Sequence, residues 1–167
     1  MRDIEGEMVG DLLNSEHRAS VLFFITHDCP ISNQFAPEIQ RICSTYEEDG
    51  FQCYLVYVDP DLTAGLIRRH LQEFGHQAPA ILDSRHRLVE FAEATITPEV
   101  GVFSPRGEIL YRGRINNLYE RLGRPRRIVT EHDLCSALDQ IREDLPISPA
   151  RTQAIGCFIP TELVTMK

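Results

Sequence analysis

The chain has 167 residues, 43% apolar and 25% charged, a composition that suits one globular domain burying a single core. Its formal charge of −8 argues against a nucleic-acid partner, which needs concentrated Lys and Arg. No apolar run approaches the roughly 20 residues that span a bilayer, and the first residues show no basic start followed by an apolar stretch and a cleavage site, so a soluble protein without a membrane span is expected, cytoplasmic, or periplasmic if a leader has been removed.

Residues 20–26, Ser-Val-Leu-Phe-Phe-Ile-Thr, form a short apolar run of the kind found in strands buried on both faces. From Phe35 the period changes, and Phe35, Ile39, Ile42, Cys43 and Tyr46 make one stripe of a helix ending near Gly50. Residues 51–58 read as a second buried strand, stopped by Asp59-Pro60-Asp61, which completes a βαβ unit. A helix from about Thr63 to Phe74 follows, with Leu66, Ile67, His70, Leu71 and Phe74 on one side and Gly75 at its end. A strand at 80–82 and a short helix around Leu88 to Ala94 lead to Thr97-Pro98. Residues 100–103 and 109–111 then pair through the turn Ser104-Pro105-Arg106-Gly107.

The stretch from Arg112 to Arg127 reads as a loop, and Arg112, Arg114, Arg121, Arg124, Arg126 and Arg127 place six of the 17 basic residues in it. As a ligand site it suits an acidic peptide or an anionic small molecule; as a solvated loop it needs none. A last helix starts at Thr130, which forms a capping-box pattern with Asp133, and Leu134, Leu138, Ile141 and Leu145 are its expected buried stripe. The domain therefore covers residues 1–145, followed by a tail at 146–167 that contains Gly156-Cys157-Phe158-Ile159-Pro160.

The five cysteines, at 29, 43, 53, 135 and 157, form no Cys-x-x-Cys pair, so neither a structural zinc site nor a local dithiol is signalled. Cys43 and Cys135 lie on or beside helix stripes and Cys53 lies in a strand, which makes all three small core residues. Cys29 differs. It falls in the turn between the first strand and its helix, with Pro30 next to it at a position where the missing N–H costs nothing. A thiol at a helix start is favoured as thiolate, although Asp28 opposes this.

The order βαβ, helix-strand-helix insert, Thr-Pro, β-hairpin and helix resembles the thioredoxin superfamily over roughly residues 18 to 145. The run Phe23-Phe24-Ile25-Thr26-His27-Asp28-Cys29-Pro30-Ile31-Ser32-Asn33, Thr97-Pro98-Glu99 and Tyr111-Arg112-Gly113-Arg114-Ile115 carry the resemblance, which is nearest to bacterial redoxins and the alkyl hydroperoxide reductase and thiol-specific antioxidant group. It implies an α/β thioredoxin fold, a mixed sheet flanked by helices, with a cis bond at Thr97-Pro98 facing Cys29. It further implies thiol-disulfide exchange on protein or small-molecule thiols and disulfides, without a cofactor. Pro30, Ser32, Asn33, Arg114 and Asn116 are then expected to face the substrate. Two departures shape the chemistry. Ser32 stands where thioredoxins carry their second cysteine, and Leu22 and Thr97-Pro98-Glu99 stand where peroxiredoxins carry a proline and an arginine-bearing strand, which makes peroxidase activity the weaker reading.

Cys157 offers a replacement for the missing second thiol. It lies about 12 residues past the last helix, and an extended chain of that length reaches roughly 40 Å, far enough to return to Cys29 and resolve an oxidised intermediate there. Two readings from other classes stand beside this one. The first is a copper-handling module using His27, Cys29 and Cys157, in which Asn33 occupies the place of a second copper-binding cysteine. The second is a non-catalytic binding domain, which the Ser32 departure favours. The remaining histidines read as surface or edge residues.

Overall fold

A computed structural model describes Ile4 and residues 12–159. In chain order the elements are β1 (Ala19–Ile25), α1 (Pro30–Gln34), α2 (Ala36–Tyr46), β2 (Phe51–Tyr57), α3 (Ala64–Phe74), β3 (Ala80–Leu82), α4 (Arg87–Ala92), β4 (Ile96–Thr97), β5 (Glu99–Phe103), β6 (Ile109–Gly113), β7 (Tyr119–Arg121), β8 (Arg124–Pro125), α5 (Asp133–Arg142) and β9 (Cys157–Phe158). The last eight residues of the tail lie outside the described residues.

Side-chain alternation along β1 and β2 builds the core. These strands pair in parallel, and Ala19, Val21, Phe23 and Ile25 with Phe51, Cys53, Leu55 and Tyr57 point to one face. Leu22 and Phe24 with Tyr54 and Val56 point to the other, so both faces are apolar and the sequence runs are continuous rather than alternating. The first face is covered by Ile39, Ile42 and Tyr46 of α2, Ile67 of α3 and Leu134, Ala137 and Leu138 of α5. Leu88, Val89 and Ala92 of α4 cover the second, together with Ala94 and Ile159. The central sheet has the order β3-β2-β1-β5-β6; β3 is parallel to β2, while β5 and β6 run antiparallel. This is the mixed, helix-flanked sheet that the resemblance implies. Among the described residues no helix is long and apolar enough to cross a membrane.

Four expectations are corrected. The helix after Cys29 is two helices, because Pro37 near the start of α2 lacks an N–H and its ring does not tolerate a continuous preceding turn. The segment 112–127 is not a loop: β6 runs on to Gly113, and β7 and β8 form a small hairpin. The capping box does not form. The helix α5 begins at Asp133, whose carboxylate is held by Arg114, and the Thr130 hydroxyl accepts from the Asn117 side-chain amide instead. The apolar stripes are also smaller than the periodicity suggests, for Leu145 lies beyond the end of α5 and is 51% exposed, and Leu66 of α3 is 41% exposed.

The tail is tied to the sheet at both ends of its described length. Arg112 N–H donates to the Ala150 carbonyl, Thr152 N–H donates to the Arg112 carbonyl, and Ile159 N–H donates to the Thr95 carbonyl. Between these anchors β9 pairs antiparallel with β4, Thr97 opposite Cys157 and Ile96 opposite Phe158.

Truncation should separate core from surface positions. Ile42→Ala, at a fully buried site, is expected to lower stability by about 2–5 kcal/mol, whereas Leu145→Ala should stay within about 0.5 kcal/mol; chemical denaturation measures both, and equal losses would place Ile42 outside the core.

Candidate functional site

Strand β1 ends at Ile25, and the chain then turns through His27 and Asp28 so that Cys29 becomes the N-cap of α1, with Pro30 in the first turn. The Cys29 residue is 2% exposed. Its Sγ accepts from the Ser32 N–H at 3.5 Å and faces the Thr97 carbonyl oxygen at 3.4 Å. The Thr97–Pro98 peptide is cis, as the resemblance implies, and a second cis bond, Ser148–Pro149, was not anticipated.

The tail brings Cys157 to the same place. Its Sγ lies 2.7 Å from that of Cys29, and the Thr97 hydroxyl donates to the Cys157 carbonyl. Gly156 makes this approach feasible, since a Cβ there would collide with the Thr97 carbonyl. The two sulfurs need to close only by a fraction of an ångström to reach the ~2.05 Å of a disulfide bond. Both thiols are free.

The pair is electrostatically unequal. Burial pushes the Cys29 pKa up, but hydrogen bonds from the Cys157 thiol and the Ser32 N–H outweigh burial and leave it below the ordinary thiol value. Cys157 is pushed up to about 12, by burial first, then by its hydrogen bond to Cys29 and the negative charge there and on Asp28. Of the two thiols Cys29 is thus the one more readily ionised. The expected contribution of a helix dipole is small, because α1 is only five residues long; specific donors do the stabilising. Ser32 Oγ is buried without a hydrogen-bond partner, so the residue in place of a second cysteine meets the first through its backbone N–H.

A polar chain beneath the turn fixes its position. The Tyr57 hydroxyl donates to His70 Nδ1 at 2.8 Å, His70 Nε2 donates to Asn33 Oδ1 at 2.8 Å, and the Asn33 amide donates to the His27 carbonyl at 2.9 Å. This tautomer follows from the Asn33 amide nitrogen being committed to a carbonyl. Burial, and then the charge of His27, lower the His70 pKa, which keeps the imidazole neutral and able to accept from Tyr57. Asn33 therefore faces inward, and His70 is a buried residue rather than a surface one.

The other expected site residues divide. Arg114 and Asn116 line a depression with Phe35, Pro98, Tyr119 and Ile155 that has room for little more than a water, about 10 Å³. Arg114 is taken by Glu131 and Asp133, and Asn116 Oδ1 accepts from the Leu118 N–H. Arg112 is likewise paired with Glu93, and Arg124 with Glu120, so three of the six arginines of the basic cluster are engaged by carboxylates. His27 Nδ1 stands 4.0 Å from carboxylates of Asp28 and Asp59, and among the described residues no three His, Cys, Asp or Glu side chains are grouped to hold a metal ion. Tyr119, which sequence reasoning did not single out, packs at 6.3 Å against Phe35 and donates to Gln34; burial and the nearby Cys29 charge push its pKa up.

No protein-family model and no curated protein sequence matches the chain. Solved structures do. An uncharacterized conserved protein from Geobacillus kaustophilus superposes with a TM-score of 0.83 at 22% identity, covering 98% of this chain and 88% of that one. A hypothetical protein from Sinorhizobium meliloti 1021 gives 0.82 at 18% identity, covering 95% and 88%. A secreted disulfide oxidoreductase of Mycobacterium tuberculosis gives 0.57 at 12% identity, covering 82% and 90%.

The pKa asymmetry makes a measurable claim. The midpoint of the pH profile for Cys29 alkylation, followed on its own peptide, should lie below the ~8.5 of a free thiol. It should move upward in Cys157→Ala, where burial persists and a donor is lost, and less in Cys157→Ser; an unmoved midpoint would show that Cys157 is not the donor.

The sheet order, the cysteine turn opposite a cis-proline and these superpositions together establish that this chain has the thioredoxin fold.

Proposed function

We propose that this protein is a thiol-disulfide oxidoreductase in which Cys29 is the reactive thiolate and Cys157 its resolving partner. The observation that supports this reading is the 2.7 Å separation of the two sulfurs, held by the pairing of Thr97 with Cys157. In the first step the Cys29 thiolate attacks one sulfur of a disulfide, forming a mixed disulfide and expelling a thiolate; with a peroxide it takes one oxygen, becomes a sulfenic acid and releases an alcohol or water. Either way the charge on Cys29 disappears. The part of the upward shift on Cys157 that comes from its hydrogen bond to Cys29 and the charge there goes with it, while burial remains, so Cys157 loses its proton more readily when it is needed as the second nucleophile. Its attack on the Cys29 sulfur joins the two residues and expels the remaining thiolate, or hydroxide that leaves as water. The protein's part in the reaction is carried by the two thiols, and the disulfide or peroxide takes up the two electrons.

Mass spectrometry of the non-reduced, alkylated protein after mild peroxide should find Cys29 joined to Cys157 by a bond that a reductant reverses. Gly156→Ala, which forces the tail off the Thr97 carbonyl, should lose most of that link while the protein stays folded. Two free thiols in the wild-type protein after peroxide would overturn the proposal and leave a binding domain of the same fold.

A further inference from the structure

A second pair of thiols lies apart from the site. Cys53 is the third residue of β2, opposite Val21, whereas Tyr57 at the end of that strand is opposite Ile25, where the chain leaves β1 for Cys29. Four strand residues put roughly 13 Å between the two levels. Cys43 sits in the last turn of α2, and a tight turn closed by Gly50, at a φ of 85°, folds the chain back beneath the helix. Cys43 therefore packs against the core cluster to which Cys53 belongs, and the two thiols are hydrogen-bond partners.

Both cysteines border one cavity of about 100 Å³, walled also by Gln40, Ser44, Gln52 and Gln77. It has room for a few waters or a molecule of similar size. Its rim is held in place: Gln40 Nε2 donates to Gln77 Oε1 and Ser44 Oγ, and the Gln77 N–H donates to Gln40 Oε1. A polar opening thus leads to two thiols in an otherwise apolar layer. The sulfurs differ in access, for Cys53 is 5% exposed and Cys43 only partly buried. The hydrogen bond to Cys43 first, then burial and the charges of Cys43 and Glu47, push the Cys53 pKa well above the ordinary thiol value, so Cys53 keeps its proton until Cys43 has reacted.

We propose that Cys43 and Cys53 are a second oxidisable dithiol, closed into a disulfide by a hydroperoxide small enough to enter this cavity, with hydrogen peroxide of fitting size. The Cys43 thiolate attacks one peroxide oxygen, the O–O bond breaks, and Cys43 becomes a sulfenic acid. The other oxygen leaves as hydroxide and takes up the proton that Cys43 gave up, forming water. Cys53 then loses its proton and attacks the Cys43 sulfur; the S–O bond breaks, and the departing hydroxide leaves with that proton as a second water. The two thiols have lost two electrons, and both peroxide oxygens end in water. The bond ties the end of α2 to β2. This chemistry needs neither Cys29 nor Cys157, so it stands or falls separately from the redox reading above.

The test uses the wild-type chain, because trypsin leaves Cys43 and Cys53 together between Ile42 and Arg68, with Cys29 and Cys157 on other peptides. The reduced protein is treated with hydrogen peroxide, cleared of it with catalase, and unfolded under mildly acidic conditions in excess maleimide, which blocks exchange. Before peroxide the peptide 42–68 should carry a maleimide on each cysteine. After it, most of that peptide should carry none and be lighter than the dithiol by two hydrogens, and cleavage after Glu47 or Glu48 should leave its halves joined until a reductant is added. Full alkylation of both cysteines after peroxide, or a bond from either to another cysteine, overturns the proposal. A second measurement reads the order of the steps. Dimedone, which traps sulfenic acids, should label Cys43 several-fold more in Cys53→Ala than in the wild-type protein; equal labelling would show that Cys53 does not resolve Cys43.

Discussion

The site depends on one short contact between strands, the two-residue pairing of β4 with β9. It sets Thr97 opposite Cys157 at the point where the Thr97 carbonyl already faces Cys29, so one residue organises both sulfurs. The strand β4 stands outside the central sheet, and without the tail its edge would be bare. A bare edge of this kind is suited to receiving an extended segment of another chain by main-chain hydrogen bonds. Here the protein fills that edge with its own C-terminal segment. The arrangement makes what is elsewhere an encounter between molecules into a fixed internal geometry, with the entropy of bringing the sulfurs together already met by folding.

The price of that geometry is burial, and the site offsets it locally. A buried thiolate is unfavourable without donors, and Cys29 has two within its immediate turn and tail: a backbone N–H and the partner thiol. Below them, the Tyr57–His70–Asn33 chain connects β2, α3 and α1 and ends on the His27 carbonyl, two residues before the cysteine. A buried hydrogen-bonded network of this kind specifies one conformation of the turn, which matters for the proposed reaction between two sulfurs 2.7 Å apart.

Much of the fold was legible because its strands are buried on both faces. The runs at 20–26 and 51–58 are apolar without alternation, and the structure places both in the middle of the sheet. Cys29 was legible from its place between strand and helix, and Thr97-Pro98 through the resemblance. What escaped notice depended on partners distant in the chain. Arg114 reads as a free cation in a basic stretch until Glu131 and Asp133 close on it from 17 and 19 residues away. The reach of the tail allowed Cys157 to meet Cys29 but did not dictate it; the pairing of Thr97 with Cys157 spans 60 residues. Tyr119 lies in a segment with no period to mark it. For His70 a signal was present: it sits in the apolar stripe of α3, and a histidine on a buried stripe needs polar partners, which Tyr57 and Asn33 supply.

The close passage of Gly156 across Thr97 carries a meaning for descent. Only a residue without a side chain lets the backbone lie there, and its sole evident service is to bring the next residue's sulfur into range. The glycine and the cysteine after it thus form a unit that is useful together and idle apart. If the two sulfurs react as proposed, selection on that glycine would relax in a lineage where Cys29 has been lost, and drift at position 156 would record the end of that chemistry even in chains whose fold is unchanged.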